Sequence, residues 1–235
     1  MRRSFDTLAE LREAMDAWQQ ERAGWISFHL KGRRSDAQLH HQLDMLLPLV
    51  QRSSRRVWRE RDGHTVTMTL HYRDGVRLAD ACRTGCMHSL AEDERKLLAQ
   101  AEEIVRCYST LEAIQAYLVK RVVYENPKRG FGRYGEIVSC KAVLAEGCGN
   151  CQGISDAVYL LGTLAGYRMG YQMGWNENGV HLWNTVAAQE GCYALDVTCA
   201  VSHPEEKDVL LSKKQCVKRG LRWEEWAESC QILAE

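Results

Sequence analysis

The stretch that decides the fold reads Gly147-Cys148-Gly149-Asn150-Cys151-Gln152-Gly153-Ile154-Ser155. Asn150 is a good residue to cap the start of a helix, and the apolar residues that follow it recur at helical spacing. They are Ile154, Ala157, Val158, Leu161, Leu164 and Ala165. Gly166 then supplies a stop signal. The sequence therefore predicts a buried helix whose first turn begins at Cys151.

The position of Cys151 at a helix start has chemical consequences. The thiolate is the nucleophilic form of cysteine, and a free thiol is mostly protonated at neutral pH. The positive end of a helix and a nearby imidazolium both lower the pKa of a cysteine. The glycines around Cys151 are expected to leave room for a substrate. Most cysteines at such positions are structural, so this residue alone does not identify an active site.

Three strands are predicted to follow this helix. They span residues 168–175, 180–187 and 193–198, and the turn Asn176-Glu177-Asn178-Gly179 joins the first two. Their short connections predict an antiparallel meander.

His181 lies on the second of these strands and Asp196 on the third. If the turn between them centres near Gln189, the two residues are direct or near neighbours across the strands. A carboxylate beside an imidazole fixes its tautomer and stabilises its charged form. Taken alone, the pair could be a surface ion pair or a core histidine with its partner. Together with Cys151, the ordered cysteine, histidine and aspartate favour a nucleophilic active site.

Three motifs carry a resemblance to a known family. Cys-Gln-Gly at the helix start, His-x-Trp-Asn from His181 and Asp-Val-Thr from Asp196 resemble the transglutaminase-like superfamily over roughly residues 90 to 212. That family has a papain-like fold and includes bacterial proteases, amidases and cross-linking acyltransferases. The resemblance implies an α+β core in which the helix that bears the nucleophile packs on an antiparallel sheet.

The resemblance also implies a role for each motif residue. Cys151 would be the nucleophile, His181 the general base and then the acid, and Asp196 the group that orients the imidazole. The residues expected to support the site are Gln152, Trp183 and Asn184. The oxyanion of the intermediate needs two donors, for which the candidates are the Cys151 backbone N–H and Tyr134.

The implied reaction is acyl transfer at an amide bond through a thioester. Water as the acceptor gives hydrolysis, which we expect of a cysteine peptidase or amidase, and an amine acceptor gives cross-linking of protein glutamines. The expected partner is a peptide or protein substrate, with no cofactor and no metal. A catalytically inactive module of the same fold that binds peptides or glycans stays open.

Four positions depart from the family pattern. Leu182 is large where many relatives carry a small residue, and Asn150 precedes the nucleophile where a small apolar residue is usual. Cys199 and Ala200 follow Asp-Val-Thr where an aromatic and an acidic residue are common. These changes bear on the pocket and on substrate choice more than on the three polar residues.

Two other interpretations of the cysteines stay open. Cys148 and Cys151 form a C-x-x-C, which is typical of thioredoxin-like proteins when it follows an early strand of a βαβ unit. Two helices and a long loop precede it here, which disfavours a redox role. Two sets of residues could instead bind zinc, although neither has a second C-x-x-C. They are Cys148, Cys151, His181 and Cys199, and Cys82, Cys86 and His88.

The first 88 residues predict a small α/β unit of unknown role, without a catalytic motif of its own. Its predicted helices span 5–21 and 36–47, and its predicted strands span 25–30, 55–60 and 65–72. We place the domain boundary near residue 88, so that the catalytic domain covers 89–235. Two further helices are predicted over 90–107 and 110–123.

Composition bears on partners and compartment. The 235 residues include 31 Lys plus Arg and 31 Asp plus Glu, so zero net charge predicts neither nucleic acid nor an anionic membrane as the main partner. The arginines between residues 52 and 61 are expected to form a solvated face. No stretch is long and apolar enough to span a bilayer, and the N-terminus lacks an apolar signal region.

Ten cysteines are many for a chain of this length. Because the chain is neither short nor poor in apolar residues, we expect mostly free thiols in a reducing compartment. A cytoplasmic location follows, or a secreted one if the N-terminus has been trimmed. The oligomeric state is left open.

Overall fold

The computed structural model describes residues 3–125, 137–205 and 208–225. The chain divides into two compact units between Arg73 and Asp74, and residues 223–225 near the C-terminus belong to the first unit. This division comes one helix earlier than the sequence-based boundary near residue 88. The helix Asp74–Thr84 belongs to the second unit, where the backbone N–H of Gly75 donates to the Asp156 carboxylate.

The first unit alternates strands and helices. Its elements in chain order are β1 (Arg3–Phe5), α1 (Leu8–Gln20), β2 (Trp25–Lys31), α2 (Asp36–Met45), β3 (Val50–Arg59) and β4 (Gly63–Tyr72). The strands form one sheet in the order β1-β2-β4-β3. β1 is parallel to β2, and the other neighbouring pairs are antiparallel. The N-terminal α/β unit is thus present, with the short strand β1 added to the predicted elements.

The core of the first unit lies between its two helices and one face of the sheet. Phe28 on β2 and Met68 on β4 are fully buried and belong to one cluster with Leu11 of α1 and Leu43 of α2. Burying such side chains stabilises the fold by about 2 kcal/mol each, so the two helices are held on this one face.

The second unit combines helices with two small sheets. Its α-helices are α3 (Asp74–Thr84), α4 (Glu92–Cys107), α5 (Leu111–Arg121), α6 (Cys151–Leu164), α7 (Val197–Ser202) and α8 (Lys213–Lys218), and it also has a 3-10 turn (Met87–Ser89) and a π-helical turn (Ala142–Glu146). Its strands are β5 (Val123–Tyr124), β6 (Cys148–Gly149), β7 (Arg168–Asn176), β8 (Gly179–Ala187) and β9 (Cys192–Leu195). β5 pairs with β6 in parallel, and β7, β8 and β9 form an antiparallel meander.

The predicted fold class is confirmed: the unit is α+β, and the helix that begins at Cys151 packs on the antiparallel sheet. The prediction of a strand over 193–198 is wrong at its end. β9 stops at Leu195, and the Asp196 side chain accepts the Cys199 N–H as the cap of α7. The β-branched Val197 and Thr198 are typical of a strand, but the cap turns the chain into a helix.

A buried carboxylate on α6 joins the elements of the second unit. Asp156 is fully buried and accepts the Gly75 N–H (3.1 Å to each oxygen), the Cys140 N–H (3.0 Å) and the Tyr171 hydroxyl (2.9 Å). A Cβ at position 75 would lie 2.5 Å from the Asp156 carbonyl oxygen, so only glycine allows this approach. Asp156 thereby fixes α6 against α3, β7 and the segment around Cys140.

We predict that Asp156→Ala lowers the free energy of unfolding by about 3 kcal/mol or more, because two buried N–H groups and a buried hydroxyl lose their acceptor. Denaturant unfolding followed by circular dichroism measures this change. The control is Glu103→Ala, which removes a carboxylate from the exposed surface of α4 and should leave the unfolding midpoint unchanged. Equal stability of the two variants would contradict the role given to Asp156.

Candidate active site

Cys151 is the first residue of α6, as predicted. The Asn150 side chain caps this helix and accepts the N–H groups of Gln152 (2.9 Å) and Gly153 (3.2 Å). The cap thus takes the N–H groups that follow Cys151. It does not compete with the Cys151 N–H for the predicted role of an oxyanion donor.

His181 on β8 and Asp196 at the start of α7 form a buried pair. The His181 Nε2 lies 3.0 Å from the Asp196 Oδ2, and each side chain is 4% exposed. A carboxylate only accepts hydrogen bonds, so Nε2 carries a proton, and Nδ1 is the acceptor in the neutral ring. The other carboxylate oxygen accepts the Cys199 N–H (3.1 Å), which holds Asp196 in place.

The register of the sheet explains how these two residues meet. In the pairing of β8 with β9, Asn184 lies opposite Leu195. Extending this register by one residue brings Asp196 opposite Trp183, which makes His181 its diagonal neighbour. The predicted near-neighbour relation therefore holds, although Asp196 lies beyond the end of the strand.

Cys151 and His181 shift each other's pKa in opposite directions. Burial raises the pKa of the Cys151 thiol, but hydrogen bonds from His181 and from the Leu182 N–H, with the His181 charge, leave that pKa lowered. Burial lowers the pKa of His181, but the Asp196 carboxylate and Cys151 raise it to about 10. At a pH above the lowered pKa of Cys151 and below the pKa of His181, the pair is therefore a thiolate beside an imidazolium.

The residues that follow His181 along β8 support the site. Trp183 is fully buried, and its ring stacks on that of His181 with 5.7 Å between the ring centroids. Asn184 donates to the Ser155 carbonyl of α6 (3.1 Å), and the Ser155 hydroxyl donates to the Leu182 carbonyl (2.9 Å). These two bonds tie β8 to α6 next to His181, which fixes the distance between strand and helix.

The glycines beside Cys151 serve the packing of the chain rather than access of a substrate. A Cβ at Gly153 would lie 2.4 Å from the Ile137 carbonyl oxygen, and one at Gly149 would lie 2.5 Å from the Val143 side chain. The expectation that these glycines leave room for a substrate is therefore wrong. They let the preceding segment approach the start of α6.

Cys151, His181 and Asp196 line one cavity of about 600 Å³. Gln152 and Cys199 also lie in its wall. Tyr134, the predicted oxyanion donor, lies outside the described residues.

Tyr124 is a cavity residue that the sequence analysis missed. It ends β5 and lies opposite Gly149 in the parallel pair with β6, which brings it to the start of α6. Burial raises the pKa of the Tyr124 phenol, and the negative charges of Cys151 and Asp196 raise it further. The phenol therefore stays protonated and can donate a hydrogen bond. Tyr124 is the third residue after α5, and no local sequence pattern indicates that it reaches the cavity.

The described cysteines include both thiols and one disulfide-bonded residue. Eight of the nine described cysteines, Cys148 and Cys151 among them, form no disulfide, so no disulfide joins the C-x-x-C. Cys192 is disulfide-bonded.

One group of described residues brings three ligand atoms within 4.8 Å of one another: His29, Glu60 and Asp62 of the first unit. Within the described ranges, neither of the two cysteine sets considered for zinc brings three ligand atoms this close together. Exposed carboxylates often gather without an ion, so the group at His29 carries no metal assignment.

Among the helices in the described ranges, none combines the length and the apolar character needed to cross a membrane.

Comparisons with known proteins find similar solved structures. The crystal structure of a TGase aligns at 11% identity over 78% of this chain and 53% of its own, with a TM-score of 0.37. A proposed cysteine protease from Cytophaga hutchinsonii aligns at 12% identity over 72% of each chain, with a TM-score of 0.37. The chain thus spans about half the length of the TGase. No protein-family model and no curated protein sequence matches it.

We predict that alkylation of Cys151 by iodoacetamide follows a pH profile with its midpoint below that of an ordinary thiol, because the His181 charge lowers the Cys151 pKa. In His181→Ala the midpoint should rise, and labelling at neutral pH should slow by about tenfold for each pH unit of that rise. Mass spectrometry of the peptide that contains residue 151 measures the midpoint of the pH profile and the labelling rate at neutral pH, with Cys151→Ser as the blank. Superimposable profiles for wild type and His181→Ala would rule out the ion pair.

Proposed function

We propose that this chain is a cysteine hydrolase that cleaves a peptide or amide bond through a thioester intermediate. One observation carries the proposal: a thiol of lowered pKa lies beside a buried histidine that contacts an aspartate at 3.0 Å. Buried thiols elsewhere in the unit shift the other way. Burial and the Asp156 charge raise the pKa of Cys140 well above its usual value, and burial raises that of Cys216 to about 12.

In the first half of the reaction, the Cys151 thiolate attacks the carbonyl carbon of the substrate amide, and the carbonyl electrons move to the oxygen. The His181 imidazolium gives its Nδ1 proton to the leaving nitrogen. The carbon–nitrogen bond breaks, the amine departs, and the acyl group remains on sulfur as a thioester.

In the second half, the neutral His181 takes a proton from water as the water oxygen attacks the thioester. Collapse of this intermediate breaks the carbon–sulfur bond and releases the acid, and it restores the thiolate and the imidazolium. Asp196 keeps its charge in both halves, because that charge stabilises the imidazolium that starts the first half and forms again in the second. An amine in place of water would give transfer instead of hydrolysis.

The oxyanion formed in each half needs donors near the sulfur. The Cys151 N–H is at the first position of α6, where the helix dipole favours negative charge. The Tyr124 phenol lies in the same cavity wall and is close enough to Cys151 for their charges to interact. We assign these two groups to the oxyanion, and Tyr134 stays a candidate on sequence grounds.

We predict that Cys151→Ala abolishes turnover of peptide and amide substrates, and that Asp196→Asn lowers kcat by about a thousandfold, because the histidine loses its orientation and its counter-charge. Screening a library of peptides and amides with a labelled primary amine present measures turnover and reports the acceptor. A mass increase on Cys151 in quenched samples detects the thioester. Two control variants remove an exposed thiol and an exposed carboxylate, Cys107→Ala and Asp93→Asn. Turnover by Cys151→Ala at the wild-type rate would refute the mechanism.

We predict that Tyr124→Phe lowers kcat by about a hundredfold with little change in KM, since the hydroxyl acts only once the oxyanion forms. The rate of Cys151 alkylation should stay the same, because that reaction passes through no oxyanion. Steady-state kinetics and alkylation rates on the same protein preparation separate the two effects. Tyr108→Phe, at an exposed aromatic of this unit, is the matched control. An unchanged kcat in Tyr124→Phe would remove this tyrosine from the mechanism.

A further inference from the structure

The sheet of the first unit has a second face, opposite its core. Successive side chains of a strand point to opposite faces, so residues that alternate with the buried Phe28 and Met68 lie together on this side. We call it the open face and define it by six residues. They are Trp25, Arg52, Arg56, Trp58, Thr67 and Thr69.

Two tryptophan rings stand on the open face. Trp25 is 62% exposed and Trp58 is 49% exposed. Their partners on β4 are Thr69 and Thr65, so the tryptophans lie on opposite sides of β4 and four residues apart along it. Strand geometry puts them about 16 Å apart. Tryptophan is enriched at interfaces, so these two exposed rings on an otherwise polar face are contact points that a ligand with flat groups could use.

Two cations without an acidic partner lie on the same face. Arg56 lies opposite Thr67, between the rows that hold the tryptophans, and Arg52 lies opposite His71. Among the described residues, no carboxylate pairs with either arginine. Their neighbours on the same segment do have partners, since Arg55 pairs with Asp44 and Arg59 with Asp36. The positive charge of Arg52 and Arg56 is therefore available to an anionic ligand.

The charge of the open face is uneven. Glu60 and Asp62 lie beside His29, which is on the same row of the sheet as Trp58. An anionic chain is repelled from that corner and attracted to the side of Arg52 and Arg56. The face therefore offers one path for an anionic chain, from Trp25 past Arg56 to the near edge of Trp58.

We propose that the open face binds single-stranded nucleic acid. Bases stack on Trp25 and Trp58, phosphates contact Arg52 and Arg56, and the Thr69 hydroxyl donates to the backbone of the strand. An acidic peptide would use the arginines but has no need of two separated rings, and a neutral glycan would use the rings but not the cations.

This proposal departs from the expectation, drawn from zero net charge, that nucleic acid is not a partner. Charge summed over the whole chain does not report how cations are arranged on one face. Binding of this kind does not involve Cys151, so a test of it is independent of the proposed hydrolase activity.

The test uses the full chain and fluorescein-labelled oligothymidylate and oligouridylate of about 16 nucleotides, within the range of known single-strand sites. Fluorescence anisotropy at several salt concentrations gives the affinity and its salt slope. Trp25→Ala and Trp58→Ala should each weaken binding by about fivefold or more, through the loss of base stacking. Arg52→Gln with Arg56→Gln should make the salt slope shallower by about 1.4, the value for two phosphates on a single strand.

The matched control is Arg83→Gln with Arg106→Gln, which changes the net charge equally at two exposed arginines of the second unit and should leave the slope unchanged. Unfolding midpoints verify that each variant is folded. Three results would overturn the proposal: no binding of either oligonucleotide at low salt, an equal loss in the control pair, or selective binding of polyglutamate or a neutral glycan through the same residues. If the proposal holds, the oligonucleotide that binds more tightly identifies RNA or DNA as the preferred ligand.

Discussion

The contact between His181 and Asp196 is the interaction on which the candidate active site depends. An imidazolium that is 4% exposed cannot remain charged without a counter-charge, and the 3.0 Å contact supplies one. The charge of the imidazolium lowers the pKa of Cys151, so Asp196 promotes the thiolate form of Cys151 only through His181. Asp196 is in turn held by the Cys199 N–H at the start of α7. The end of β9 and the short helix after it are therefore parts of the site.

Two buried aspartates of the second unit have different roles, one in packing and one in the charge of the site. Asp156 accepts from neutral donors, among them two backbone N–H groups and a tyrosine hydroxyl, and it fixes the position of α6. Asp196 faces a histidine and sets its charge. Because α6 begins at Cys151, the first carboxylate positions the sulfur, and the second stabilises the charged imidazole that lowers the pKa of Cys151. The hydrogen bonds of Ser155 with Leu182 and Asn184 join α6 to β8, which fixes the separation between the helix that begins at Cys151 and the strand that carries His181.

Local signals made much of the site predictable. The Asn150 cap and the apolar period that follows it define α6, and counting from the turn near Gln189 pairs His181 with Asp196. The features that were missed depend on distant contacts. α3 begins with Asp74 and Gly75, which are typical of a turn, and the reason for this glycine is Asp156, far along the chain. Tyr124 reaches the cavity through a parallel pair that no local pattern announces.

The central claim is that His181 is a charged ring beside a thiolate, and nitrogen NMR of the imidazole tests it most directly. With selectively labelled histidine, and with His181→Gln to assign the signal, the account predicts both ring nitrogens of His181 protonated at pH 8 and a titration near pH 10, since the Asp196 and Cys151 charges raise its pKa to about 10. In Cys151→Ser the titration should move to lower pH, because one of the two negative partners is gone. A neutral His181 ring at pH 8 in the wild-type protein would contradict the account.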